Sequence, residues 1–479
     1  MLPKAETGYV EPAAGRHRVV IVGGGFSGAS VARCLALGGH VRPGDLVVYE
    51  PRHRLGAGLA YDTANPALRL NAAAHKMRVL PEQPDAFLRF MEQRGHLARD
   101  PEAMSETGDI YASRADFADF MGEAMQPFLD DGTILHCRER IADVARVAGG
   151  WHIRTDTGTN HFADTLVIAI GHPPATAPAP LSPLIGQDER ILTDPNRTGS
   201  VAIHDRVLIV GAGLTALDYL AALDQQGHKG PITLLCRSGL LPERHSDTPT
   251  EPFGDFLSPP SRSATALLAA VRETLEKARA AGKPWQCVFD TLRKQGQAIW
   301  RDLPDAERAR FLRHLGRRYE VSRFRMPPQN ETLLRKLRQE GRLEMLTGRV
   351  ESARSRRSGL EIGLRLRHGG RILHQTFDRV AIATGSDQSR HFHTQPWLES
   401  LRMAGHIVPA ALGLGIACDQ DSRAIASDGR ACRDLFVIGP PTRATFGEIT
   451  GAPEIVVQAA HIARQIDATL APSHAVLQS

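Results

Sequence analysis

A chain of 479 residues is too long for one small core and points to two or more domains. With 42% hydrophobic and 23% charged residues, and 44 Gly and 31 Pro to punctuate turns, the composition excludes general disorder. A net charge of +5 permits anionic ligands without requiring nucleic acid, and the apolar runs fall well short of the ~18 residues that suggest a membrane span.

Residues 1–16 lack the basic start and apolar core of a signal peptide and are expected to form a flexible N-terminal tail. Val19-Val20-Ile21-Val22 then runs as an apolar strand into Gly23-Gly24-Gly25-Phe26-Ser27-Gly28, a G-x-G-x-x-G loop. A helical pattern follows from about Ala29, and the next strand, Leu46-Val47-Val48-Tyr49, ends in the acid Glu50. Glycines alone are weak evidence, but strand, loop, helix and acid in this order make the context of a dinucleotide site. Gly23 permits the tight turn, Gly25 lets the backbone approach a pyrophosphate, and Gly28 lets helix and strand pack closely. The helix start at Phe26 and Ser27 offers N–H groups and a positive dipole, and Glu50 would accept hydrogen bonds from ribose hydroxyls.

Further along, Trp151–Thr155 alternates as a half-buried strand, a Thr-Gly-Thr-Asn turn follows, and Thr165–Ile170 runs apolar into Gly171. From Arg206 the order repeats. Val207–Val210 leads into Gly211-Ala212-Gly213-Leu214-Thr215-Ala216, and Ile232–Cys236 is the second strand. Leu360–Leu366 alternates, His368-Gly369-Gly370 turns, and an apolar strand from Arg379 runs to Gly385. The second loop carries Ala216 in place of the third glycine, and its second strand ends in Cys236-Arg237-Ser238 instead of an acid. A guanidinium pairs with a 2′-phosphate that a carboxylate would repel, so the expected second nucleotide is NADPH, with Arg237 and Ser238 at its phosphate. A plain surface role is the alternative for Arg237.

The second unit is longer than the first, and the extra length fits in Leu240–Arg342, where Ala264–Ala280, Phe289–Trp300 and Asp305–Tyr319 have helical periodicity. Its position after a second strand places this insert over the cofactor cleft, as a lid or substrate wall. Within it, Phe311, Leu315 and Tyr319 recur at helical spacing beside a stripe of Arg310, Arg313 and Arg317, which reads as an amphipathic surface helix. A site for a substrate carboxylate or an NADPH phosphate is the alternative. The six cysteines are at least fourteen positions apart, so there is no C-x-x-C dithiol and no metal-ligand spacing, and reduced thiols in a cytoplasmic protein are expected.

Over about residues 17–470 the chain resembles the two-dinucleotide-binding flavoproteins, and within them an FAD/NAD(P)-binding family similar to flavin-containing monooxygenases and amino-acid N-hydroxylases. Glu50-Pro51-Arg52, Gly56-Ala57-Gly58-Leu59-Ala60-Tyr61, Arg69-Leu70-Asn71 and Phe436-Val437-Ile438-Gly439-Pro440 carry the resemblance. It implies an α/β fold of two Rossmann-like domains in three layers. Residues 17–200 and 386–479 would form the FAD domain, and residues 201–385 the NADPH domain with a helical insertion at 240–342. Gly171 and Gly385 would end the strands that join the domains. Gly439-Pro440 stands where flavin reductases commonly have Gly-Asp, which leans away from the disulfide reductases, and the F-x-G-x-x-x-H fingerprint of the flavin monooxygenases is absent.

Leu70–Met77 is similar to the monooxygenase segment whose asparagine sits beside the flavin, which makes Asn71 the expected catalytic residue; capping the following turn is its alternative role. Pro453 opens a last helix, Ile455–Ile466, whose positive end would face the flavin pyrimidine. His75, His172 and His245 are expected to be structural or surface residues. The resemblance implies an NADPH-dependent FAD enzyme that uses molecular oxygen, through a C4a-hydroperoxyflavin, to oxygenate a small amine, sulfur or ketone substrate. From cysteine spacing, run lengths and charge no metal, membrane or nucleic acid is expected, and a homodimer is the default assembly. The rival readings are an NADPH-linked reductase serving a quinone or redox partner, and a flavin-binding redox sensor.

Overall fold

The computed structural model describes residues 15–470, so the expected N-terminal tail lies almost wholly outside the described residues. The first strands are Arg16–Val22 (β1), Leu46–Tyr49 (β2), Ile134–Cys137 (β3), Ile141–Val147 (β4), Gly150–Thr155 (β5) and Asn160–Ile168 (β6). Then come Ile191–Leu192 (β7), Val207–Val210 (β8), Ile232–Cys236 (β9), Leu343–Arg356 (β10), Gly359–Leu366 (β11), Ile372–Phe377 (β12) and Arg379–Ile382 (β13). Arg423–Ile425 (β14) and Ala431–Val437 (β15) complete the set.

Two sheets result. The first runs β14-β15-β6-β1-β2-β3, with the hairpin β4–β5 paired to β6; the second runs β12-β11-β10-β9-β8-β13-β7. In each, the strand before a glycine loop is central: β1 lies parallel between β2 and β6, and β8 lies parallel between β9 and β13. Both are Rossmann-like dinucleotide-binding units with an antiparallel extension. β7 lies upstream of position 201, where the second unit was expected to open, and pairs with β13.

The apolar runs explain this layering. Val19, Val20 and Ile21 are fully buried on both faces of β1, as are Leu208 and Ile209 of β8, because helices or further layers cover each side of a parallel sheet. The helix Phe26–Gly38 packs between the first sheet and the C-terminal helix Ala452–Leu470, with Val31, Leu35, Val456 and Ile462 in one core. Trp151, Trp397 and Leu398 fill the opposite face. The links between the units run side by side: Thr176 N–H donates to the Gly385 carbonyl at 3.2 Å, and the Thr384 hydroxyl donates to the Thr176 carbonyl at 2.6 Å.

The insert folds into helices Ala264–Ala280, Gln286–Asp302, Asp305–His314, Gly316–Arg323 and Pro328–Gln339. The single helix expected over Asp305–Tyr319 is broken at Leu315-Gly316, where glycine's low helix propensity allows the interruption. Leu267, Val288, Leu292, Ile299 and Leu303 give these helices a core of their own.

Candidate functional site

Gly23 turns with φ +100°, a conformation L side chains avoid, and a β-carbon there would collide with the Ala169 carbonyl. At Gly28 a β-carbon would strike the Gly23 carbonyl, so helix and loop touch directly. Gly25 is the N-cap of Phe26–Gly38 and supplies no side-chain cap, which leaves the N–H groups of the first turn, at Phe26 and Ser27, free for an anion. Glu50 is buried at 4% exposure; its Oε2 accepts from Gly24 N–H at 3.1 Å and its Oε1 from Arg52 at 3.0 Å. Oε1 also accepts from the Arg52 backbone N–H at 3.1 Å, but Oε2 keeps a second lone pair, so the carboxylate can brace the loop and still accept from a ribose. Gly439, at φ +77°, closes against Ser27, and its N–H donates to Gln458 at 2.9 Å ahead of the Pro440 turn.

The second loop repeats the plan. Gly211 has φ +124° and abuts the Ala383 carbonyl, and Gly213 caps Leu214–Gln225 without a side-chain bond. Ala216 is fully buried in the packing of that helix. A β-carbon at Gly213 would meet nothing within 4 Å, so the approach to Leu214 and Thr215 is open. Arg237 is exposed at the end of β9; Ser238 Oγ accepts from Leu240 N–H at 3.2 Å, and Arg367 adds a second guanidinium 3.5 Å from the Arg237 carbonyl. Both loops therefore fit the pyrophosphate of a dinucleotide.

A cavity of about 1060 Å³ lies between the units. Asn71, His172, Gly213, Leu214, Thr215 and Gly385 line it, together with Thr450–Pro453 at the start of the last helix. The first loop from Gly23 to Gly28, Glu50, Gly171, Gly211, Ala216, Arg237, Ser238 and Gly439-Pro440 do not line it. The half-buried Asn71 caps nothing: the turn Ala74–Lys76 begins at Ala73 without a side-chain cap, and the Asn71 amide has no hydrogen-bond partner among the described residues. Its backbone is fixed instead, since His245 Nε2 donates to the Asn71 carbonyl at 2.9 Å. Burial and nearby Arg325 push the His245 pKa down to about 4, which keeps the ring neutral at pH 7. His172, also held near 4 by burial and then by Arg443, accepts at Nδ1 from Gln388 Nε2 at 2.7 Å; Gln388 Oε1 in turn accepts from His391 at 2.8 Å.

Sequence reading missed two ion-pair groups on this cavity. Arg114, at the first turn of Arg114–Asp130, donates to both oxygens of buried Asp218 at 3.0 and 2.8 Å and so ties the first unit to the second nucleotide helix. Burial raises the Asp218 pKa, and Arg114 opposes that shift. On the insert, Arg323 donates to Glu448 at 2.8 Å, Tyr319 donates to its other oxygen at 2.9 Å, and Arg293 grips Glu454 at 2.7 and 3.1 Å. Phe311, Leu315 and Tyr319 face the cavity, so the expected surface helix is a wall of the site. Partners separated by more than a hundred positions carry no local pattern from which these pairs could be read.

Residues 20–173 match the model of an FAD-NAD(P)-binding family. No curated protein matches the chain by sequence. Among solved structures, the reduced ornithine hydroxylase of Pseudomonas aeruginosa is similar with a TM-score of 0.66 at 16% identity, over 95% of this chain and 99% of that one. L-lysine 6-monooxygenase from Pseudomonas syringae gives 0.62 at 17% over 95% and 99%. The FAD-bound cadaverine monooxygenase of Erwinia amylovora gives 0.63 at 14% over 94% of each chain. At these identities the likeness is one of fold.

Proposed function

We propose that a chain with an FAD-NAD(P)-binding unit and a second phosphate loop opening on one cavity is an NADPH-dependent FAD monooxygenase, acting on a small amine, sulfur compound or ketone. The carrying observation is convergence: the free amide of Asn71, the Gly213–Thr215 loop and the N-terminus of Ala452–Leu470 line the same space. FAD at the first loop supplies hydride acceptance and the activation of dioxygen. The protein's part is position and exclusion of water. Leu214 and Thr215 present N–H groups to the NADPH pyrophosphate, and Arg237 presents a fixed charge to the 2′-phosphate. Asn71 offers a neutral donor and acceptor at the reaction centre, and the insert covers it. The structures with the same fold that oxygenate ornithine, lysine and cadaverine support this reading. Thiol relay is disfavoured, because burial pushes the Cys137 and Cys418 thiols up to about 12.

The test is an electron balance on the FAD-loaded protein in air. NADPH consumed is compared with oxygenated product and hydrogen peroxide across amines, sulfides and ketones. Product above background supports oxygenation. NADPH oxidation that ends only in peroxide or in a reduced quinone would replace it with the reductase reading.

A further inference from the structure

The insert's inner surface bears on the substrate class, an inference that rests on the monooxygenase reading. Leu268, Val271, Phe289, Ile299 and Phe311 line the cavity from three helices and Leu315 from the break after the third, and an apolar wall selects against charge. The guanidinium groups set into that wall are already neutralised. Arg323 and Glu448 face each other with side chains 7% exposed, Arg293 is chelated by Glu454, and Arg443 faces Glu320 at 3.4 Å. Both Glu448 oxygens are engaged as well, one accepting twice from Arg323 and the other from Tyr319. Against the insert's wall a substrate carboxylate or ammonium would have to break the Arg323–Glu448 or Arg293–Glu454 pair and leave one partner uncompensated. The one carboxylate on the cavity without an ion-pair partner among the described residues, Asp194, lies outside the insert and accepts from Asn196. Three further cations line the cavity without an ion-pair partner among the described residues, Lys76, Arg197 and Arg318, and all three are exposed. Their exposure suits the phosphates of a bound nucleotide better than a buried substrate.

We infer that the substrate is an uncharged, largely apolar molecule presenting a sulfur or a ketone, and not an amino acid or a diamine. For a thioether the balance is one sulfide, one dioxygen, one NADPH and one proton giving one sulfoxide, one water and one NADP+. The O–O bond breaks, one oxygen bonds to sulfur, the other leaves as water, and NADPH provides both electrons.

Isothermal titration of the oxidised, FAD-loaded protein with NADP+ present tests binding apart from turnover. Methyl phenyl sulfide and octan-2-one should saturate at least tenfold more tightly than L-ornithine, L-lysine or cadaverine. Leu268→Asp and Leu312→Asp, the latter beside Phe311 on the same cavity wall, should at matched FAD content weaken the sulfide at least tenfold. Equal or tighter binding of the charged probes, no binding of the neutral ones, or indifference to both substitutions would overturn the inference. Tight neutral binding with no sulfoxide or ester formed from NADPH and oxygen would sustain the apolar site and defeat the oxygenation reading instead.

Discussion

Asn71 has an amide with no hydrogen-bond partner among the described residues, and its main chain is tethered by a histidine held neutral through burial. A free donor on a fixed backbone is what preorganised stabilisation requires, and losing one such donor typically costs about a hundredfold in rate. Asn71→Ala should therefore lower oxygenated product per NADPH and raise peroxide, with anaerobic flavin reduction unchanged in stopped flow. Unaltered coupling would return Asn71 to a structural role. Arg237 is exposed and extends into solvent, so its interaction with a phosphate would be charge-assisted and worth about 2 kcal/mol, or roughly thirtyfold in affinity. Arg237→Ala should weaken NADPH by that factor and leave NADH nearly untouched; an equal loss for both would remove Arg237 from the phosphate site.

At the scale of elements, the links that leave β6 and β13 are held by short-range polar chemistry rather than by a large apolar core. His391, 1% exposed, donates to Gln388, which donates to His172 Nδ1, an order of donors that works only with that nitrogen unprotonated. Burial, then the neighbouring His172, lowers the His391 pKa from 6.5 to about 4. For a base lowered on folding, the unfolded chain binds more protons between the two values. The stability is complete above about pH 6.5 and is lost as pH falls toward 4. Between pH 7 and 5 this one residue contributes about 2 kcal/mol of loss. Thermal melts should show the decline, and His391→Asn, which keeps an amide donor toward Gln388, should flatten part of it; an unchanged slope would exclude His391 as a source.

Over the whole molecule, two similar sheets act as one enzyme only if their relative placement is held, and the buried pair Arg114–Asp218 spans them. Arg114→Ala would strand the Asp218 carboxylate, 5% exposed, at a cost of about 3–5 kcal/mol. Scanning calorimetry should then show a lower and broader transition, or two, together with weaker NADP+ binding. A single unshifted transition would mean that the insert's contacts, among them Trp300 Nε1 donating to the Ala444 carbonyl at 2.8 Å, hold the units without this pair.

The sequence by itself determined the two strand–glycine loop–helix units and the chain order of the strands read from it, because each rests on local rules. A tight turn needs glycine within a few residues, a doubly covered strand needs an unbroken apolar run, and an amphipathic helix needs its period. Ile232–Cys236 and Ala264–Ala280 coincide with their expected spans for that reason. Tertiary structure alone decided that Phe311 and Tyr319 wall the cavity instead of facing solvent, that Arg323 meets Glu448 across 125 positions, and that Asn71 is left with a free amide. The period of a helix marks its apolar face but not what that face meets, and a charge carries no record of its distant partner until folding brings both out of water.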